Sequence, residues 1–273
     1  MPNYSAPIRD FQFLLHDYLD LQKYKDVPGF ADATPDLIDT LLTEGAKVCE
    51  EVLFPINQSG DAEGIHFENG KVTLPKGFKE AYKAYAEGGW IGLACDPEHG
   101  GQGLPEVVAT PIVEMICSAN LSFGITPGLS HGAYNALRLH ATDDLKKRFM
   151  PNIASGKWSG VMGLTEPHCG TDLGLIRTIA TPSPSEGEGR DGGSGNREYR
   201  ITGTKIFISS GEQDLTDNII HLVLARLPDA PKGIKGISLF LVPKILEDGK
   251  PNGVKCSGVE HKMGIHASPT CVM

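Results

Sequence analysis

Residues 156–172 read Gly-Lys-Trp-Ser-Gly-Val-Met-Gly-Leu-Thr-Glu-Pro-His-Cys-Gly-Thr-Asp, and within them the hydrophobic period of the chain changes. Trp158, Gly160, Met162 and Leu164 alternate with Ser159, Val161, Gly163 and Thr165, the two-residue repeat of a strand whose side chains point to opposite faces. Pro167 and Gly170 then bring the chain round a turn, because proline pre-sets φ and glycine tolerates the left-handed region. Ahead of this stretch the period is helical. Leu37, Ile38, Leu41, Leu42, Val48, Cys49, Val52, Leu53 and Ile56 recur at steps of three and four, one apolar stripe along a helix. Thr34 is its predicted N-cap, Pro35 its first helical residue, and Asp36 suits the positive end of the dipole.

Working outward from there, Phe11, Leu14, Leu15, Tyr18 and Gln22 mark an earlier helix that ends near Lys23 and Lys25. Phe78, Ala81, Tyr82 and Tyr85 mark another, opened by Pro75 and stopped by Gly88-Gly89. Helices are also predicted over 105–119, 128–140 and 143–155. Pro111 threatens to break the first, and Thr142 with Asp143-Asp144 heads the last. Beyond the period change, strand-like runs occur at Tyr199–Ile201, Lys205–Ser209, Ile219–Arg226, Gly236–Pro243 and Gly253–Val259. Thr202-Gly203-Thr204, Pro228-Asp229, Glu247-Asp248-Gly249 and Asn252-Gly253 supply turn chemistry between them. Short strands with no helix between them predict an antiparallel barrel or sandwich. The fold class is therefore α+β, an all-helical domain over 1–157 followed by a β domain over 158–273. Residues 182–197 hold five glycines and no large apolar side chain, which predicts a mobile hairpin insertion.

A chain of 273 residues that is 40% hydrophobic and 22% charged is long enough for two packed domains. Its net charge is −9, with 13 basic and 21 acidic residues before Trp158 against 12 and 13 from there on. Such a balance argues against nucleic-acid binding, which needs clustered positive charge, and makes the near-neutral second half the better host for an anionic ligand. No apolar run approaches the roughly 20 residues of a membrane span. The N-terminal MPNYSAPIRDFQFLL has no basic region followed by an apolar one, so neither a signal nor a transit peptide is expected. Six cysteines without a CxxC pair suit reduced thiols in a cytoplasm. Neither GxGxxG after a strand nor GxxxxGK[ST] is present, and His261 and His266 have no third ligand in view, so no metal site is expected.

Three segments carry candidate chemistry. The turn Met162–Asp172, with hydroxyls at Thr165 and Thr171, has the makings of a nest that aims N–H groups and hydroxyls at a polar ligand; a plain strand-to-loop corner is the competing reading. In Lys205-Ile206-Phe207-Ile208-Ser209-Ser210-Gly211 an aromatic ring and a hydroxyl share one strand face, either against a flat cofactor or as a core Phe207 with Ser209 capping a turn. Pro97-Glu98-His99-Gly100-Gly101-Gln102-Gly103 is a glycine-rich loop ahead of a helix, weak on its own.

Taken in order, these segments resemble the flavin-dependent acyl-CoA dehydrogenases. Pro97…Gly100-Gly101-Gln102-Gly103 is similar to the family's helical-domain loop and Gly163-Leu164-Thr165-Glu166-Pro167…Gly170-Thr171-Asp172 to its β-domain signature. Lys205–Gly211 is similar to the flavin strand that follows, and Lys262-Met263-Gly264 to the strand near the end of that domain. Tyr4–Asp10 and Gly264–Thr270 resemble a longer-chain branch that includes 3-methylmercaptopropionyl-CoA dehydrogenases. The resemblance implies FAD as cofactor, with Met162, Leu164 and Thr165 lining the isoalloxazine, Thr165 bonding its edge, Phe207 stacking at the ring and Ser209 bonding to it. Thr171 falls where the family has a hydroxyl for flavin phosphate or acyl-CoA. Cys169, Phe207 and Ser209 depart from a usual small residue, Trp and Thr, and Cys169 is expected to crowd the turn.

The same resemblance implies fatty acid metabolism: an acyl-CoA is converted to its 2-enoyl-CoA and electrons pass to an electron-transfer flavoprotein. That reaction takes a proton from Cα, so it needs a stabilised enolate and a desolvated carboxylate base. The family draws that glutamate from a C-terminal helical bundle beyond the β domain, and this sequence ends at Met273. No catalytic residue is therefore assigned, Glu166 included, and the chain is expected to be an incomplete, inactive piece with apolar surface exposed of a protein that is a homo-oligomer at full length. The rivals are a non-catalytic flavin- or acyl-CoA-binding module and an acyl-CoA oxidase.

Overall fold

The Thr34-Pro35-Asp36 start does what its chemistry dictates: Thr34 Oγ1 accepts the Leu37 N–H at 3.3 Å and opens helix α2, Pro35–Lys47. The computed structural model describes residues 3–183 and 198–273. Before α2, α1 (Ile8–Gln12) widens into a π-helical turn, Phe13–Tyr18, and Asp20 in the left-handed region at φ 47° redirects the chain. A second π-helical stretch, Val48–Leu53, prolongs α2. After α3 (Asn57–Glu63) comes a hairpin of β1 (His66–Glu68) and β2 (Lys71–Thr73), turned by Asn69 and Gly70 at φ 50° and 78°. The helical period gave no sign of it.

Helix α4 (Phe78–Glu87) buries Phe78, Ala81, Tyr82 and Tyr85, the residues of its predicted stripe. Helices α5 (Glu106–Ala119), α6 (Leu121–His140) and α7 (Asp143–Ala154) each carry an internal proline without ending there: Pro111, Pro127 and Pro151. The helix predicted over 105–119 forms, and Pro111 does not break it. A missing helical hydrogen bond is outweighed where the helix is packed, and Ile112, Met115 and Ile116 next to Pro111 are buried. Helix α6 starts at Leu121 rather than at 128. Its N-cap, Asn120, accepts the Phe123 N–H at 3.1 Å and donates to the Leu53 carbonyl at 3.1 Å.

Strand β3 (Trp158–Gly163) falls on the period change. It is followed by β4 (Ile179–Pro182), β5 (Tyr199–Thr202), β6 (Ile208–Ser209), β7 (Asn218–Arg226), β8 (Ile237–Pro243), β9 (Gly258–Val259) and β10 (Thr270–Val272). One sheet runs β3-β7-β4-β5 with β8 also on β7; another runs β6-β10-β9. The α+β class holds, but pairing is mixed rather than wholly antiparallel. Strand β3 lies parallel to β7 along Trp158–Gly163, and β4 joins β7 in parallel at Ile179–Arg226. A parallel pair needs a long crossover, and the chain between Gly163 and Asn218 provides it. Two expected strands shrink, Lys205–Ser209 to Ile208–Ser209 and Gly253–Val259 to Gly258–Val259. The expected strand at Lys262-Met263-Gly264 is instead a turn with Gly264 at φ 76°. Of the glycine-rich 182–197, residues 184–197 lie outside the described ones.

Helix α6 joins the two kinds of structure. Phe123 belongs to the helical core with Ile38, Leu53 and Met115, while Tyr134 and Leu137 share a second core with Ile153, Ile220 and Leu222. Contact with β3 is close because both sides are small. A Cβ on Gly160 would sit 2.3 Å from Ala133 Cβ, and Ser130 Oγ accepts the Gly160 N–H at 3.1 Å. Among the described residues no helix is long and apolar enough to cross a membrane.

Candidate functional site

Three segments are drawn side by side at the end of β3. The Ile206 N–H donates to the Thr165 carbonyl at 2.9 Å, and the backbones of Lys205 and Met273 exchange two bonds, 2.8 and 2.7 Å. Thr270 pairs with Ser209 across β10 and β6. Met162, Leu164, Thr165 and Ser209 are all half-buried, and Phe207 is 44% exposed. Five of the six expected site residues thus come from segments that hydrogen-bond to one another. The sixth, Thr171, is exposed on the loop beyond the turn.

That turn is built around Glu166. Glu166 and Cys169 exchange backbone bonds of 2.9 and 3.0 Å, with Pro167 and His168 at the tip. The Glu166 carboxylate, 3% exposed, accepts from Arg177 N–H at 2.7 Å, Thr178 N–H at 3.0 Å, Thr178 Oγ1 at 2.6 Å and Lys205 Nζ at 2.9 Å. Lys205 Nζ also donates to the Leu164 carbonyl at 3.0 Å. Desolvation alone would push this carboxyl up; the four donors overcome it and hold it down at about 2. A group that keeps its negative charge so firmly is a poor proton acceptor. The neighbouring loop is tied down by Arg226, whose guanidinium donates to the carbonyls of Gly174 at 2.6 Å, Ile176 at 3.0 Å, Gly233 at 2.8 Å and Pro231 at 3.1 Å. His168 Nε2 donates to Leu175 O at 2.9 Å, and Cys169 is buried within the turn.

What this leaves unbound is informative. Among the described residues, no acceptor meets the N–H of Gly170 or Thr171, and no partner meets the hydroxyls of Thr165, Thr171 or Ser209. The surface therefore offers two backbone donors, three hydroxyls, a thioether, a leucine and an exposed aromatic ring. That donor set fits a ligand with a flat apolar ring, polar ring edges and an anionic tail.

Residues 40–157 match the acyl-CoA dehydrogenase N-terminal domain and residues 161–273 the middle domain of the same enzymes. The chain belongs to the acyl-CoA dehydrogenase family. It is 42% identical over 275 residues to 3-methylmercaptopropionyl-CoA dehydrogenase of Ruegeria pomeroyi, covering 99% of this chain and 45% of that one, in keeping with the branch its motifs resemble. It also superposes on butyryl-CoA dehydrogenase from Megasphaera elsdenii with TM-score 0.68 and 28% identity, over 87% of this chain and 55% of that one. A likeness in fold extends to an acyl-CoA dehydrogenase of Bacillus anthracis complexed with FAD, TM-score 0.68 at 24% identity, over 87% and 35% of the two chains. The chain spans about half the length of the curated relatives it matches, 45% of the first.

Phe207 corrects one expectation. Its φ of 57° is left-handed, as is that of Ser210 at 54°, so Phe207 and Ser209 do not lie along one regular strand; only Ile208–Ser209 is extended and paired. Sequence reasoning also missed Lys205, Arg226 and Lys262, whose Nζ stands 4.2 Å over the Phe207 ring. A lysine opening an apolar run was the one visible signal for Lys205. Among the described residues, two sets of carboxylate, imidazole or thiol groups converge within 4.8 Å, Glu166-His168-Cys169 and Asp96-Glu98-His99. Glu166 is committed to Lys205, and Asp96 to Arg138 at 3.1 Å.

Proposed function

We propose that this chain is the flavin-carrying part of an FAD-dependent acyl-CoA dehydrogenase, with a helical domain over 1–157 and a flavin-binding β domain over 158–273. The observation that carries the reading is the meeting of Met162, Leu164 and Thr165 with Phe207 and Ser209 on hydrogen-bonded segments, the hydroxyls being left without partners among the described residues. In this reading Met162 and Leu164 pack on the flavin ring, Thr165 and Ser209 bond its polar edges, and Phe207 stacks at its rim. Thr171, with the free N–H groups of Gly170 and Thr171, takes a phosphate of FAD or of the acyl-CoA. Bound there, FAD supplies the hydride acceptor for α,β-dehydrogenation of an acyl-CoA thioester. The chain's own residues orient the ring and exclude water from the face that Met162 and Leu164 cover.

The reading assigns no base within these residues, because Glu166 is locked as an anion by four donors. It takes an electron-transfer flavoprotein as electron acceptor, fatty acid metabolism as setting, a cytoplasm as a compartment that suits six free thiols, and a homo-oligomer as the full-length form. Helix α6 supports further cover. Leu121, Gly128, Gly132 and Leu139 of this helix are exposed, beside the exposed Arg138 and His140 at its end, and Val113 of α5 is exposed as well.

Anaerobic titration of the FAD-loaded chain with butyryl-CoA and with its methylthio-propionyl analogue tests this. The flavin absorbance is expected to persist, since the reading assigns no base to take the Cα proton. Bleaching by either thioester would place a working base inside the chain and refute that part of the reading.

A further inference from the structure

We propose that Lys262 is a positioning residue, holding the Phe207 ring against the bound flavin from the solvent side, so that the 262–264 turn forms the outer wall of the cofactor site. This rests on the flavin reading above. Left-handed backbone is rare for a bulky residue and persists only where the surroundings over-determine it. Phe207 has φ 57° and is 44% exposed as a residue, so core packing alone does not fix its ring. What stands over it is the Lys262 ammonium, 4.2 Å from the ring centroid, within the range of a cation–π contact. Among the described residues no carboxylate pairs with Lys262, which leaves its charge for the ring and whatever the ring abuts.

The turn that presents Lys262 is anchored from behind. The Ile265 N–H closes it on the Lys262 carbonyl at 3.3 Å. The His261 and His266 rings meet across its base at 4.7 Å. The His266 N–H donates to Asp61 Oδ1 at 3.1 Å and the Ile65 N–H to the His266 carbonyl at 3.1 Å, tying the turn to α3 and the start of the β1–β2 hairpin. Lys262 is thus half-buried on a fixed base, whereas its neighbour Met263 is 97% exposed. With flavin bound, a cation behind the Phe207 ring would favour the anionic reduced form over the neutral oxidised one, so the same contact would also raise the reduction potential.

The test uses the whole 273-residue chain as wild type, Lys262→Met, Lys262→Arg, Phe207→Leu and the Lys262→Met/Phe207→Leu double variant. FAD affinity is read from flavin fluorescence, midpoint potential from dye equilibration, and stability of the FAD-free chain from its thermal unfolding. Lys262→Met is expected to weaken FAD about three-fold and to lower the potential without changing the unfolding of the FAD-free chain. Lys262→Arg should restore the affinity, and in the Phe207→Leu background the affinity effect of Lys262→Met should vanish. The inference is overturned if wild type and Lys262→Met bind FAD alike with equal potentials, or if Lys262→Met acts only by destabilising the FAD-free chain. A wild-type chain that takes no FAD at all would instead overturn the flavin reading on which the inference stands.

Discussion

On one side of the candidate site, the Glu166–Thr178 segment is organised by a carboxylate that is 3% exposed and takes four hydrogen bonds, one from a buried lysine. On the other, Phe207, 44% exposed, stands in left-handed backbone with an ammonium over its ring face. The first wall draws its rigidity from charges removed from water, where breaking one partner is costly. The second draws it from a contact that solvent still reaches and that is correspondingly weak.

The sharpest way to break the contrast is at the rigid wall. Glu166→Gln leaves Lys205 buried without its counter-charge and is expected to cost about 3–5 kcal/mol in chemical denaturation; adding Lys205→Met should return part of that loss. The wild-type carboxyl is held at about 2, well below the ordinary value near 4.3. Its stabilising share is therefore whole above the ordinary value and fades as pH falls toward about 2. Stability measured from about pH 5 downward should drop in the wild type by a component that Glu166→Gln lacks.

Gly160→Ala, at the α6–β3 contact, would place a Cβ 2.3 Å from Ala133 Cβ and is expected to cost about 1–3 kcal/mol by overpacking, read in the same denaturation assay. Arg226→Lys keeps the charge but loses the fork that reaches four carbonyls. About 1–2 kcal/mol and faster amide exchange over 173–177 should follow, with β7 itself unaffected. The smallest effect is expected at the open wall, where Met263→Ala, at a residue that is 97% exposed, should leave the stability of the FAD-free chain unchanged; a measurable loss would mean that the second wall is less open than its exposure implies.

The same contrast explains what could be read from the sequence. Helices α2 and α4 were legible because their stripes and the Thr34 cap act over a few residues. The start of α6 was not, since Leu-Ser-Phe-Gly-Ile-Thr-Pro-Gly has weak helix propensity and is helical through packing and the Asn120 cap. Asn69-Gly70 was a hairpin signal in plain sight, but the three-residue strands around it are too short to show a period. Strand β3 was legible from alternation and β7 from its run Ile219–Arg226, whereas their parallel pairing across some sixty residues leaves no local trace. At the site, the hydroxyl and ring positions came through the family resemblance. The Glu166–Lys205 pair did not, because 39 residues separate its members, and neither did the φ of Phe207, because aromatic residues between Ile206 and Ile208 read as strand.

The most direct measurement is an equilibrium titration of the purified 273-residue chain with FAD, alongside Thr165→Val and Ser209→Ala. Saturable binding at one FAD per chain, weakened several-fold by either loss of a hydroxyl (about 1 kcal/mol each), is the expected result. No binding, or binding that neither substitution alters, would contradict the assignment of these segments as the flavin site.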